Sequence, residues 1–294
     1  MIKKAVIPAA GLGTRMLPLT KTQPKEMMPI ASKPCIQYIV EELASVGIEQ
    51  VLIITGQKKR AIEDHFDKDN ELNNMLQRSE QQALLQTLEY EDMNVQFFYT
   101  RQSRAAGLGD AINHARNFIN NEPFIIALGD SIIHSEENEC LLQRMINTYA
   151  DHNNSLILGT REVPLEQVSR YGIVKPKNGT DQPIVEIDDV VEKPPVKTTP
   201  SRLAFAARYI LPPTIFDALD RTSPGKGGEL QLTDGIRLLL KEGTLGYSVK
   251  LTDKEKRYDI GNMGSYFEAF VDFALQDEKY GYQLRQYLHK KLNL

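Results

Sequence analysis

Short, unbroken apolar runs alternate with stretches of helical period through the first half of the chain. Ala5-Val6-Ile7, Val51-Leu52-Ile53-Ile54, Val95 to Tyr99, Phe124 to Leu128 and Ser155 to Leu158 read as strands. Between the first two, Ile36, Ile39, Val40, Leu43 and Val46 recur at helical spacing and Gly47 supplies a C-terminal stop. Lys59 to Phe66, Leu72 to Leu88 and Leu142 to Tyr149 also read as helices, and Ala111, Ile112, Ala115, Phe118 and Ile119 mark a further helical face. A strand apolar at every position must be buried on both faces, which predicts a mostly parallel sheet flanked by helices, an α/β arrangement. Such sheets bind ligands beyond the carboxyl ends of their strands. The loops after Ile7, Tyr99 and Leu128 are therefore the places to look for chemistry.

After about residue 165 the texture changes. Ile173-Val174, Ile184 to Val191 and Leu203 to Leu211 read as strands between Pro- and Lys-rich turns, an antiparallel extension of the same sheet. A long C-terminal amphipathic helix carries Phe267, Phe270, Val271, Ala274 and Leu275, read as a core-covering or dimer-forming face. The expected organisation is one domain over residues 1–294: the alternating strands and helices at 1–160, the antiparallel extension at 161–262 and the C-terminal helix at 263–294. Net charge is −4, so no basic surface for nucleic acid is expected, and phosphates must be met by a few local cations. Apolar runs are too short to span a bilayer, and Met1-Ile2-Lys3-Lys4 is followed by too short an apolar stretch for a signal peptide. Two cysteines, Cys35 and Cys140, form no disulfide framework. These features read as a cytoplasmic protein.

Gly11-Leu12-Gly13-Thr14-Arg15 directly follows the first strand. Glycines allow close approach of backbone to an anion. A dinucleotide fingerprint would need glycine where Met16 stands, and a P-loop would end in Gly-Lys-Ser/Thr. What remains is a loop with its own arginine, which can contact phosphate in bidentate fashion. Ten residues on, Lys25 in Pro24-Lys25-Glu26 can join the same phosphates, and Glu26 can accept from a ribose or base. The alternative is a plain turn with a solvated Lys–Glu pair.

The loop and Pro24-Lys25-Glu26-Met27 resemble the signature of sugar-nucleotide pyrophosphorylases, the bacterial UTP–glucose-1-phosphate uridylyltransferases in particular. The resemblance runs from about residue 3 to about residue 280. It includes Gly107-Leu108-Gly109, Leu128-Gly129-Asp130, Arg170-Tyr171-Gly172-Ile173, Val191-Glu192-Lys193-Pro194, Gly227-Gly228-Glu229 through Asp234, and Arg257-Tyr258-Asp259-Ile260-Gly261. It implies a Rossmann-like α/β nucleotidyltransferase core in which Ala10, Gly11 and Gly13 meet the nucleotide. Glu26, Gln102 and Gly107 read or flank the uracil, and Arg15 and Lys25 hold the triphosphate. Asp130 and Asp259 hold Mg²⁺, while Gly172, Glu192 and Lys193 meet the sugar phosphate. The implied partners are UTP, glucose 1-phosphate and UDP-glucose, in a homodimer or homotetramer. Two positions depart from the family pattern: Ser131 stands where a second aspartate is usual, and Asp110 where histidine is common. They admit a different base or sugar, or a regulatory protein that binds UDP-sugar without turnover.

The residues taken singly have plainer readings. Asp130 could cap a following helix, and Asp259 could form a surface ion pair with Arg257. Glu192-Lys193 could be a solvated loop pair, Gly172 a turn, and the segment from Gly227 to Asp234 a helix start.

Overall fold

The computed structural model describes residues 2–225 and 227–292; Met1 of the N-terminal stretch and the last two positions of the C-terminal segment lie outside the described residues. The described strands are β1 Lys4–Pro8, β2 Pro29–Ile30, β3 Lys33–Pro34, β4 Gln50–Thr55, β5 Gln96–Arg101, β6 Phe124–Ala127, β7 Ser131–Ser135, β8 Leu156–Glu162, β9 Gly172–Pro176, β10 Ile184–Glu192, β11 Leu203–Leu211, β12 Gly246–Lys250 and β13 Glu255–Asp259. Nine of them form one sheet in the order β5-β4-β1-β6-β11-β8-β12-β10-β9.

The first four of that row are parallel, as the apolar runs predict. Alternate residues feed two cores. Ala5, Ile7, Val51 and Ile53 face the helix Cys35–Ser45 through Ile36, Ile39, Val40 and Leu43. Val6, Leu52, Ile54 and Ile126 face Ala111, Ile112 and Ala115 on the other side. Gly47 ends the first helix at φ +83°, where a side chain would be strained.

Beyond β6 the sheet departs from the parallel expectation. β8, read from sequence as the fifth strand of the series, does not join β6. Strand β11 lies between them, antiparallel to both. Every residue of β11 is buried, so its composition suits a central position that chain order does not suggest. β8 then pairs parallel with β12, and β12, β10 and β9 complete the antiparallel end.

Two helix readings are corrected. Residues 72–88 do not form one helix: Asn70–Arg78 and Gln82–Gln86 are separate, with Glu80 at φ +55° between them. The stretch from Gln77 to Gln82 carries no apolar residue to hold a straight helix on the core. The C-terminal helix is likewise two, Met263–Gln276 and Gly281–Leu292. Asp277 caps the second, accepting from the Lys279 and Tyr280 N–H groups at 3.0 and 2.7 Å. The first touches the core through Ala269 and Phe273, while Phe267, Phe270 and Val271 point outward. No described helix is long and apolar enough to cross a membrane.

Candidate active site

The order β5-β4-β1-β6 places the sheet's switch point between β1 and β6, where connections leave to opposite sides and a crevice opens. The glycine-rich loop leaves β1 here, and Gly129-Asp130 leaves β6. Gly13 serves the turn itself: its φ is +67°, and its carbonyl accepts from Thr20 Oγ1 at 2.7 Å and Met16 N–H at 2.9 Å. Gly11 faces the ligand space, and a Cβ built on it would stand 3.6 Å from Lys25 Nζ. A cavity of about 520 Å³ runs from Ala10, Gly11, Arg15 and Lys25 past Asp130 to Glu192 and Lys193. A second, of about 230 Å³, adjoins it and shares Ala10, Gly11, Lys25 and Gln102. The structure thus gathers residues that sequence spreads over most of the chain.

Asp130 and Asp259 meet through a small ladder outside the main sheet. β7 pairs antiparallel with β13, putting Asp259 opposite Ser131, and the Ile260 N–H donates to the Asp130 carbonyl at 2.8 Å. A Cβ on Gly261 would lie 2.7 Å from Arg15 Nη2, 2.8 Å from Asp259 Oδ1 and 3.2 Å from Asp130 Oδ2. Arginine and both carboxylates therefore converge on a point that only glycine leaves open. Because β7 follows Asp130, the helix-cap reading of that residue fails. Arg257 Nη2 does lie 3.8 Å from Asp259 Oδ2, but the arginine is buried, so the pair is no surface bridge.

Lys25 Nζ donates to Asp130 Oδ2. Burial alone would lower the lysine's pKa, yet Asp130 and Glu26 together hold it above its usual value. Burial would likewise raise Asp130, but the Lys25 ammonium outweighs it and keeps the carboxyl below the usual range. Both groups are thus held charged. Glu26 is placed differently from a base-reading residue: it is buried, and its carboxylate accepts from Lys59 Nζ at 2.7 Å. Burial raises its pKa, with Lys59 and Lys25 offsetting only part of the rise. Lys59, a buried lysine behind the glycine-rich loop, had no signal in the sequence beyond being one of many.

On the far wall, Gly172 and Glu192 face each other across β9 and β10. Glycine is required at 172 because a Cβ would fall 2.6 Å from the Phe205 ring. Thr233 Oγ1 donates to Glu192 Oε2 at 2.6 Å, and Lys193 Nζ stands 2.9 Å from Glu192 Oε1. Lys193 adopts φ +46°, a conformation costing a non-glycine residue about 1–2 kcal/mol. Its N–H donates to the Tyr171 carbonyl at 3.0 Å, which helps hold that turn. The expected helix start after Gly228 is the helix Leu232–Lys241, whose first turn carries Thr233 to this wall.

Gln102 is 7% exposed and lines both cavities. Its Nε2 donates to Asp110 Oδ2 at 2.7 Å and to the Gly107 carbonyl at 3.2 Å. Gly107, at φ +107°, is glycine because the Leu230 backbone leaves no room for a Cβ. Ser131, the other departure from the family pattern, is fully buried and accepts from Arg257 Nε at 2.7 Å. Behind it, Arg208 donates to the Ser131 carbonyl at 3.0 Å and to Glu42 Oε2 at 2.6 Å. Nothing in the sequence names the partner of this arginine.

A glycine-rich loop at the switch point, with two cations and two carboxylates converging, defines a site for moving a phosphate-bearing group. The chain belongs to the nucleotidyl transferase family, whose model matches residues 4–276. It is 44% identical, over 99% of both chains, to UTP–glucose-1-phosphate uridylyltransferase 1 of Staphylococcus saprophyticus. It is also similar to a UDP-glucose pyrophosphorylase solved in complex with UDP-glucose, at 40% identity and TM-score 0.84, covering 94% of this chain and all of that one. A UTP-bound UGPase from Acinetobacter baumannii superposes with TM-score 0.88 at 32% identity, covering 98% of this chain and 99% of the other.

Proposed function

We propose that the protein transfers a uridylyl group from UTP to α-D-glucose 1-phosphate, giving UDP-glucose and pyrophosphate. The observation that carries this reading is the convergence of Arg15, Asp130 and Asp259 beside Gly261, with Arg15 and Asp130 lining a cavity whose opposite wall holds Glu192 and Lys193. The distribution of charge suits two anionic substrates meeting in line.

A phosphate oxygen of glucose 1-phosphate attacks the α-phosphorus of UTP, and the bond to the β-phosphate breaks. The attacking phosphate needs no general base, since its second pKa is about 6. Alignment and charge are the remaining tasks. Arg15 and Lys25 hold the departing pyrophosphate side. Lys193 exchanges Glu192 for the incoming sugar phosphate, and Glu192, fixed by Thr233, accepts from sugar hydroxyls. Ala10 and Gly11 leave room for the nucleoside, with Gln102 at the base and Gly107 supporting it. Glu26 acts from behind, by fixing Lys59 under the loop.

The donor set fits Mg²⁺. Asp130 and Asp259 bring hard carboxylate oxygens close together, and among the described residues no group of three or more His, Cys, Asp or Glu side chains is placed to hold a metal by itself. Two protein carboxylates plus substrate oxygens and water are a usual Mg²⁺ environment. Bound there, the ion would offset charge on the phosphates.

The outward Phe267, Phe270 and Val271, with Tyr282 and Tyr287 on the last helix, support a homo-oligomer built on the C-terminal pair. The two free thiols suit the cytoplasm. Pyrophosphate release measured with UTP, glucose 1-phosphate and Mg²⁺ tests the reaction. Absence of release with this pair, and release with another nucleotide or sugar phosphate, would reassign it. Tight UDP-glucose binding without any turnover would favour the regulatory reading.

A further inference from the structure

A carboxamide carries two N–H donors on its nitrogen and only acceptor capacity on its oxygen. Both local partners of Gln102 are acceptors: the Asp110 carboxylate at 2.7 Å and the Gly107 carbonyl at 3.2 Å. Neither can donate, so the nitrogen must face them and both of its hydrogens are spent. The backbone is held as well, since Gln102 N–H donates to the Thr55 carbonyl at 2.9 Å. No donor among the described residues meets Oε1. The one unspent group that Gln102 can offer to the cavities it lines is therefore an acceptor.

We propose that Asp110 is a positioning residue for base selection. By holding Nε2 it makes Gln102 an acceptor-only reader, which selects a pyrimidine with a protonated N3 over one without. Uracil and thymine carry N3–H and can donate to Oε1. Cytosine presents a bare N3 lone pair there, so acceptor would face acceptor. Asp110 suits this task better than a neutral imidazole, which can either donate or accept according to its tautomer. Its carboxylate also makes the stronger, charge-assisted bond. Asp110 lies in the first turn of the helix Leu108–Asn113, and its position is set from outside the cavity. The Gly109 N–H donates to the Leu230 carbonyl and the Leu230 N–H to the Ala106 carbonyl, both at 2.8 Å, pinning that turn to the neighbouring segment.

This inference rests on the nucleotidyl transfer reading for its nucleotide, but it is testable by binding alone. Equilibrium binding of UTP, dTTP and CTP is measured for the wild-type chain, Asp110→Ala, Asp110→Asn and Asp110→Lys, alongside kcat and KM with glucose 1-phosphate. The UTP-to-CTP affinity ratio is expected to fall about tenfold in Asp110→Ala. The loss should appear in KM for UTP, with kcat and the KM for glucose 1-phosphate within about threefold of wild type. The UTP-to-dTTP ratio should hold, because both bases keep N3–H. Asp110→Asn retains an acceptor at the same place and should restore most of the ratio. Asp110→Lys supplies only donors, which draw Oε1 away from the base, so the ratio should fall at least as far as in the alanine variant. Should alanine fail to fold, the asparagine–lysine pair still decides. An unchanged UTP-to-CTP ratio in a folded alanine or lysine variant overturns the proposal. Failure of the wild-type chain to turn over UTP and glucose 1-phosphate would instead strike the functional reading and leave the binding ratios to be read.

Discussion

Asp259 sits directly across the β7–β13 ladder from Ser131, and the next N–H but one, that of Gly261, folds back to donate to Asp259 Oδ1 at 2.9 Å. The ladder thus sets Asp259 beside Asp130 while leaving both carboxylates facing Gly261 and Arg15. Asp130→Ala and Asp259→Ala are each expected to lower kcat by roughly 10²–10³, the usual loss for one well-placed electrostatic group. Steady-state rates across a Mg²⁺ titration check this. Near-normal turnover at low Mg²⁺ by either variant refutes its role.

Lys193 and Thr233 should separate by their kinetic signatures. Lys193→Ala removes the cation from the wall proposed to meet the sugar phosphate and should cost roughly 10²–10³ in kcat/KM. Thr233→Val removes the hydrogen bond that fixes Glu192 but no charge. It should raise the KM for glucose 1-phosphate roughly tenfold while leaving the KM for UTP unchanged. An equal rise in both KM values would mean that Thr233 serves the helix and not the sugar site.

The Lys25–Asp130 pair makes stability depend on pH in a set direction. Asp130 has a lowered folded pKa, so the stability it adds is complete above the usual aspartate range and is lost as pH falls through the lowered value. Lys25 has a raised folded pKa, so its contribution is complete below the usual lysine range and is lost as pH climbs through the raised value. Glu26 opposes Asp130 on the acid side, because its raised folded pKa makes stability fall as pH rises through the carboxylate range. Comparing the wild-type chain with Asp130→Asn removes the titration of Asp130 together with its influence on Lys25 and Glu26. Urea unfolding from about pH 6 down to about pH 2 should show the wild-type advantage shrinking as Asp130 takes up its proton. A difference independent of pH over that range would contradict the assignment.

Arg208 is fully buried in the middle of β11 and is balanced by Glu42 from the helix Cys35–Ser45. Removing either partner leaves a buried charge unpaired, a change that typically costs about 3–5 kcal/mol. Glu42→Ala and Arg208→Met should each approach that loss in chemical denaturation. The double variant should lose less than the sum, since it strands no charge. Full additivity would show that the two side chains do not act as a pair.

Much of the fold was legible because its signals are local. Continuous apolar strands and helix faces repeat within a dozen residues, so the parallel strands of the first half and the helix closed by Gly47 could be read directly, though not the order in which the strands pair. The glycine-rich loop likewise declared itself by its place after β1 and by the neighbouring Arg15 and Lys25. The break at Glu80 lies in the gap between apolar residues from Gln77 to Gln82, which the helical reading passed over, and the turn at Asp277 is fixed by side-chain hydrogen bonds that periodicity does not report.

The amino-acid sequence by itself determined the β/α alternation, the switch-point loop and the identity of the charged groups available for phosphate chemistry. Tertiary structure alone decided that β11 enters between β6 and β8, that β13 pairs with β7 to set Asp259 beside Asp130, and that Lys59 and Asp110 hold Glu26 and Gln102. Periodicity reports which face of an element is buried. It carries no information on which distant element covers that face or in what register, and those long-range pairings bring the charges of this site to one point.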